Sequence, residues 1–364
     1  MALTRYPLCS CATSYVAVSC AHRLRARKSV RARESGVMRG AGSVCSSPTC
    51  CARHPRACSA VEPVMGGIDL REPPHVTFVA FSGKDSGVVR ELARSSFSLA
   101  RTSPTALIDV LTDTDDMAAQ ITAAGLPPRA KVRQIQRDAV AHRFRAFGLR
   151  RFSHHSGLGG YSKLIVADLL QPAVNATIVV DTDTLFVSDV APLWALRLRL
   201  ARDGALLAAK RLSTGGACLR GQRINSGVVL MDLRRMRQTN FTSSLLSRVA
   251  RLGRGGVPAR ECGKMVRNDT LAAGDQELLS FGCLHAGPAA CLPLPALMHQ
   301  DKCDGFSGGR AAVILHFNCR GKIPLDCPTP DCNRLARDFE SQAGGAPGRG
   351  LAARAWRSKD APVG

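Results

Sequence analysis

A run of strand formers that ends in two aspartates one residue apart constrains this chain more than any other feature. In "TIVVDTDTLFVSDVAPLW" (Thr177 to Trp194), Ile178, Val179 and Val180 form a continuous apolar run, and Leu185 and Phe186 resume it. Such a run suits a strand buried on both faces, the kind found in parallel sheets covered by helices. Aspartate is a poor strand residue and is almost never buried without a partner. Asp181 and Asp183 therefore either cap the strand where it meets water or hold something positive. Carboxylates at i and i+2 can both reach one divalent ion where a strand bends at its end. Oxygen donors suit Mg²⁺ or Mn²⁺, and an added imidazole favours Mn²⁺.

The surrounding pattern alternates strand and helix. A strand over "VTFVAF" (Val76 to Phe81) precedes a helix with apolar residues at Val88, Leu92, Phe97 and Leu99. The strand "TALIDVLTD" follows, then a helix in "DDMAAQITAAG" ending at Gly125, then a short strand "KVRQIQ". "GGYSKLIVADLLQP" reads as one helix stopped by Pro172. Beyond Trp194 come the strand "GALLAAKR", a turn, strand and helix in "RINSGVVLMDLRRMRQ", a loop and short helix in "AAGDQELLSFG", and a late strand "AAVILHFNC". The expected fold is α/β, a single mostly parallel sheet flanked by helices. Ligands of such sheets gather at the carboxyl ends of the strands. Phe81-Ser82, Asp181-Thr182-Asp183 and His316 all fall there.

The flanks differ from this core. Residues 1–72 mix Arg, Ser, Cys, Gly and Pro without periodicity, and residues 336–364 form a basic tail, which leaves 73–335 as the folded domain. The net charge of +22 favours an anionic partner, although much of it sits in the stretch from His22 to Gly40 and in the tail. With 5% aromatic residues the chain offers few stacking platforms, so nucleic acid is not the expected partner. No run of about 18 apolar residues provides a membrane span. "YPLCSCATSYVAVSCA" (Tyr6 to Ala21) leaves an anchor, a transit segment and a misassigned gene start open, and with them membrane association.

Of the 15 cysteines, eight lie between Cys218 and Cys332, an even set that suits disulfides in an oxidising lumen. Free cytosolic thiols are the alternative. No paired CxxC spacing points to structural zinc. Sequons at Asn175, Asn240 and Asn268 agree with the secretory pathway, with the Golgi lumen as the expected location.

Five motifs in order, "GYSKLIVADLL", "VVDTDTLFVSDVAPLW", "RINSGVVLMDL", "GDQELLS" and "LHFNCRGK", resemble glycosyltransferase family 8, the glycogenin-like retaining nucleotide-sugar transferases. The resemblance spans Val76 to Ile323, and the final segment is most similar to the xylosyltransferase branch acting on glycoprotein sugars. It implies a GT-A type fold, a bound Mn²⁺ (Mg²⁺ as second choice), a UDP-sugar donor and a glycan or glycoprotein acceptor. Asp181, Asp183 and His316 would ligate the metal, and Asp181 would also touch the ribose. Phe81 and Ser82, with Lys84, would sit at the uridine, although "FSGKDSG" follows the family pattern loosely. Gly321 and Lys322 would meet the diphosphate, despite "KIPLD" departing from the usual continuation. Lys163 would lie near the donor. Asn225, Ser226 and Gly227 would form a turn that hydrogen-bonds the sugar, and Asp275 and Gln276 would face the reacting carbon. Ser280 stands where the family often has Asn.

A retaining reaction through a covalent intermediate needs a carboxylate under the sugar ring. The residue at that place is the amide Gln276, a poor nucleophile, so the expected route is front-face substitution. Xylose is the first choice of sugar, and glucose or galactose the second. Two other readings compete. An inactive sugar-binding relative would keep the fold, but every motif residue stands. A nucleotide-sugar pyrophosphorylase needs an extended basic Gly-rich loop after the first strand, which "FSGKDSGVVRE" lacks.

Overall fold

The computed structural model describes residues 72–82, 87–154, 156–212, 223–253, 265–267, 269–287, 289–301 and 312–317. These lie within one compact unit, Pro63–Gly364. The basic N-terminal segment before residue 72, the C-terminal tail, Lys84, Asn268, Gly321 and Lys322 fall outside the described residues.

The chain opens with β1 (His75–Val79), α1 (Val88–Thr102), β2 (Leu107–Thr112), α2 (Asp115–Ala123), β3 (Ala130–Gln134), α3 (Arg137–Arg145) and β4 (Arg151–Phe152). Next come α4 (Gly157–Ser162), a 3₁₀ turn (Lys163–Ile165), α5 (Val166–Leu169), β5 (Ala176–Val180), β6 (Thr184–Phe186), α6 (Ala191–Asp203) and β7 (Leu207–Arg211). The last part holds β8 (Ile224–Asp232), α7 (Leu233–Gln238), α8 (Phe241–Gly253), β9 (Val266–Arg267), β10 (Thr270–Leu271), α9 (Asp275–Ala286), β11 (Cys291–Pro293), β12 (His299–Asp301) and β13 (Ile314–His316). Seven strands form the central sheet in the order β11-β7-β8-β5-β1-β2-β3. Its pairs are parallel except where β8 runs against β5 and β7.

Both faces of this sheet are covered, which explains the unbroken apolar runs. Strand side chains alternate faces. Val179, Val229 and Met231 thus join Tyr161, Leu164 and Leu278 on one side. Ile178, Val180, Val228 and Leu230 join Phe78, Leu92 and Trp194 on the other. Burial of each such aliphatic side chain contributes about 1.5–3 kcal/mol. Local chemistry sets the helix ends: the Thr114 hydroxyl accepts from Met117 N at 3.1 Å to start α2, and Gly204, in the left-handed region at φ +68°, ends α6.

Three expectations are corrected. The stretch 159–172 is broken into α4, the 3₁₀ turn and α5 instead of one helix. The break carries Lys163 into the interior, where its partners wait. Asn225-Ser226-Gly227 is strand, the start of β8, and Gly227 has no positive φ. The late strand β13 leaves the central sheet and pairs with β6 and β12 in a separate three-stranded sheet. The antiparallel β6–β13 pairing still returns His316 to the Asp181 turn, since His316 lies opposite Thr184.

Candidate active site

At the carboxyl end of β5 the chain turns sharply. Asp181 N donates to Gly227 O at 2.9 Å, the Thr184 hydroxyl donates to Asp181 O at 2.8 Å, and Phe317 N donates to Asp183 O at 2.9 Å. These bonds fix the two aspartates between β8 and β13. His316 Nε2 then lies 3.5 Å from Asp181 Oδ2 and 3.3 Å from Asp183 Oδ1. One donor atom from each of the three residues falls within 4.8 Å of the others.

The residues suit a divalent cation. Neighbouring ligands of a six-coordinate ion at ~2.1 Å lie about 3 Å apart, close to the separations here. Two carboxylate oxygens with one imidazole are donors that divalent ions such as Mn²⁺, Mg²⁺ and Zn²⁺ accept. The ring also has a seat and an orienting partner. A Cβ on Gly227 would lie 2.0 Å from His316 Cε1, so only glycine leaves room for the imidazole. His316 Nδ1 is 3.3 Å from His299 Nε2. Burial first, and then the positive charges of His316 and Lys210, hold His299 well below the usual imidazole range. In the tautomer with its proton on Nδ1, neutral His299 accepts the Nδ1–H of His316, an arrangement that would leave His316 Nε2 for a cation. Burial alone would lower the pKa of His316, but the hydrogen bonds and charges of Asp181 and Asp183 raise it to about 9.

Lys163 is buried within the cleft wall, with Nζ against Asp181 Oδ1 and donating to Asp275 Oδ2 at 2.9 Å. Burial opposes its charge, yet the two carboxylates outweigh that and keep the ammonium above its ordinary range. Burial likewise opposes charge on Asp181, while Lys163 and His316 hold its carboxyl far below the usual range. Asp275 opens α9, and Gln276 beside it lines the cleft. Ser280, on the next turn, donates to Gln276 O at 2.6 Å and accepts from Ile224 N at 3.1 Å. The Ser that departs from the family's Asn thus ties α9 to the start of β8.

These groups face a cleft of about 1080 Å³. Asp181, Asp183 and His316 share it with Lys163, Asn225, Ser226, Gly227, Asp275 and Gln276, and Phe81 and Ser82 line it too. Sequence reasoning missed several members. Asp113, the residue after β2, stands behind the cleft residues Ser82 and Arg137: it accepts from Ser82 N at 2.6 Å, from the Ser82 hydroxyl at 2.8 Å and from Arg137 at 2.9 Å. Elsewhere in the cleft, Arg223 donates to Glu277 at 2.9 Å, and His154 pairs with the Ser156 hydroxyl at 2.8 Å. Only Asp113 left a signal, a second strand ending in Asp.

The model of glycosyl transferase family 8 matches residues 122–254, the segment that carries Lys163, both aspartates and Asn225 to Gly227. Over these residues the chain is similar to glycosyltransferase family 8. Among curated relatives, the xylosyl- and glucuronyltransferase LARGE2 of Mus musculus is 33% identical over 98 residues, 24% of this chain and 14% of LARGE2. The probable galacturonosyltransferase-like 6 of Arabidopsis thaliana is 31% identical over 100 residues, 23% of this chain and 29% of the relative. The chain therefore matches well under a third of the length of either relative. Among solved structures, apo mouse xyloside xylosyltransferase 1 aligns with TM-score 0.50 and 16% identity, over 68% of this chain and 98% of that one. The galactosyltransferase LgtC with donor and acceptor sugar analogues aligns with TM-score 0.51 and 15% identity, over 73% and 95%. At these identities the structural likeness establishes the fold alone, which is of the GT-A type.

Proposed function

We propose that the chain is a Mn²⁺-dependent retaining glycosyltransferase that moves a sugar, xylose first and glucose or galactose second, from a UDP-sugar to a hydroxyl of a glycan or glycoprotein. One observation carries this reading: Asp181, Asp183 and His316, drawn from two separate parts of the chain, converge within 4.8 Å at a cleft that also holds Lys163, Asn225 and Asp275. Xylose as first choice rests on the two xylosyltransferases among the similar proteins.

Asp181, Asp183 and His316 would hold Mn²⁺, which when bound supplies Lewis-acid neutralisation of the diphosphate. The remaining work falls to the chain. Asn225 and Ser226 hold the donor sugar, and Phe81 and Ser82 sit at the nucleoside end. Lys163 holds Asp275 in place beside the reacting carbon and adds positive charge near the departing phosphate. Gln276 is an amide and offers no carboxylate under the ring, so the acceptor hydroxyl enters from the face the phosphate leaves. Its proton passes to a phosphate oxygen of the leaving group. Gly321 and Lys322 complete the diphosphate contacts in this reading, and 73–335 is the catalytic domain.

The Cys283–Cys291 disulfide supports an oxidising lumen, and Asn175 and Asn240 are exposed as glycan acceptors there. A Golgi location follows from this. Among the described residues, no helix is long and apolar enough to cross a membrane.

The test is release of UDP from UDP-xylose, UDP-glucose and UDP-galactose with Mn²⁺, with and without acceptor glycans. Mn²⁺-dependent release, fastest from UDP-xylose and lost in EDTA and in Asp183→Ala, is the expected result. Undiminished release by Asp183→Ala in EDTA rules the proposal out.

A further inference from the structure

Asn225 is held by charges that lie outside the cleft. Between the pairs Ala209↔Val229 and Arg211↔Ile224, a single residue of β7, Lys210, faces the β8 stretch from Asn225 to Val228. This irregularity takes Asn225, Ser226 and Gly227 out of the β7 ladder, and such departures re-aim side chains next to active sites. Other bonds hold the stretch instead. Asn225 Oδ1 accepts from Gly227 N at 2.8 Å. Asn225 Nδ2 donates to Asp301 Oδ2 at 3.2 Å, and Lys210 Nζ donates to the same oxygen at 2.7 Å. Asp301, 2% exposed, sits on β12 directly beside His316 in the strand register. Neither Asp301 nor Lys210 lines the cleft, whereas Asn225 does.

We propose that Asp301 and Lys210 are positioning residues: their ion pair fixes the orientation of the Asn225 amide, and so decides which group Asn225 presents to a donor sugar. The inference rests on the transfer reading above. An ion pair that buries one carboxylate and half-buries its lysine gains little stability over an apolar pair of similar volume, so stability alone does not account for this one. Direction does account for it. An amide presents an oxygen and a nitrogen of nearly the same shape, and only its partners tell them apart. A carboxylate accepts and never donates, so Asp301 demands the NH₂ of Asn225. Gly227 N–H demands the oxygen. Lys210, an ammonium that can only donate, shares the same Asp301 oxygen at 2.7 Å. With the amide fixed, one N–H and one lone pair of Asn225 remain for the donor, in set directions. The Gly227 backbone, which accepts from Asp181 N, is fixed by the same bonds.

The test uses Asp301→Asn, Lys210→Met and the double variant in the full chain, with three readouts: thermal midpoint, steady-state donor turnover, and hydrogen exchange of the Gly227 amide by NMR. In Asp301→Asn, Gly227 exchange is expected to accelerate at least about tenfold while Val229 is unchanged. The kcat for donor turnover is expected to fall about 10–100-fold with KM for the UDP-sugar little changed. The double variant, which buries no unpaired charge, is expected to recover the thermal midpoint without recovering kcat or Gly227 protection. If Asp301→Asn does not fold, the double variant carries all three readouts. Unchanged Gly227 exchange, or recovery of kcat together with stability in the double variant, overturns the inference. If the wild type turns over no donor, the transfer reading fails, and Gly227 exchange alone still decides whether the ion pair orients Asn225.

Discussion

Gly227 and His316 are in contact across the site: a Cβ on the glycine would lie 2.0 Å from Cε1, 2.4 Å from Nδ1 and 2.6 Å from Nε2 of the ring. Glycine is required there for the space it leaves, since its φ is not positive. Gly227→Ala forces the buried imidazole away from Asp181 and Asp183. Overpacking of this kind costs about 1–3 kcal/mol. The expected outcome is a modest fall in thermal midpoint and a loss of Mn²⁺ affinity of at least about tenfold. Calorimetric titration of Mn²⁺ checks it, and wild-type affinity in Gly227→Ala refutes it.

The raised pKa of His316 gives the cation site a defined pH dependence. Without metal, the ring carries a proton up to pH about 9, held by Asp181 and Asp183. A bound cation needs the neutral ring, so binding below that pH releases one proton. Mn²⁺ affinity should rise about tenfold per pH unit below pH 9 and level off above it. Stability of the metal-free protein runs the other way. A folded pKa above the unfolded value of 6.5 adds stability that is complete below pH 6.5 and lost as pH rises through about 9. Thermal midpoints of metal-free protein between pH 6 and 9.5 test this, with His316→Gln expected to flatten the slope.

The aspartate pair was legible because its context was local: an apolar run and two carboxylates lie within a few residues. Strand–helix alternation carried the central sheet for the same reason. What stayed hidden depends on distant partners. Asn, Ser and Gly are poor strand formers, yet Asn225 to Gly227 continue β8, where Asp181 N donates to Gly227 O and Asn225 donates to Asp301, and long-range contacts override propensity. Nothing within "YSKLIV" marks a helix break. Asp181 and Asp275, 18 and 112 residues further on, supply the reason for it. "ILH" fits any sheet, and only its register with β6 assigns it. Asp301 and His299 lie in a stretch without periodicity, so the groups behind Asn225 and His316 left no pattern to find.

Lys163 between Asp181 and Asp275 separates two carboxylates that would otherwise repel. Lys163→Met leaves both without their shared cation, and breaking a buried pair in this way costs about 3–5 kcal/mol. The same change leaves Asp181 more available to a metal. Stability and donor turnover are therefore expected to fall while Mn²⁺ binds at least as tightly as in the wild type. Denaturant unfolding alongside Mn²⁺ titration tests this. A parallel loss of metal affinity would mean that Lys163 organises the cation site and does not compete with it.

The Cys283–Cys291 disulfide anchors the far end of α9, the helix whose first two residues are Asp275 and Gln276, to β11 at the edge of the central sheet. The cysteines are eight residues apart, a short loop for which the chain-entropy model gives about 2–3 kcal/mol. Cys283→Ala/Cys291→Ala should lose about that much in denaturant unfolding, as should the wild type under reducing conditions. The 12 residues of α9 place the disulfide and the Asp275–Lys163 contact at opposite ends of one rigid element. Lys163 holds Asp275 independently of the disulfide, so activity at low temperature should stay within about twofold of wild type. A large drop in kcat at a temperature where the double variant is fully folded would show that the disulfide also sets the position of Asp275.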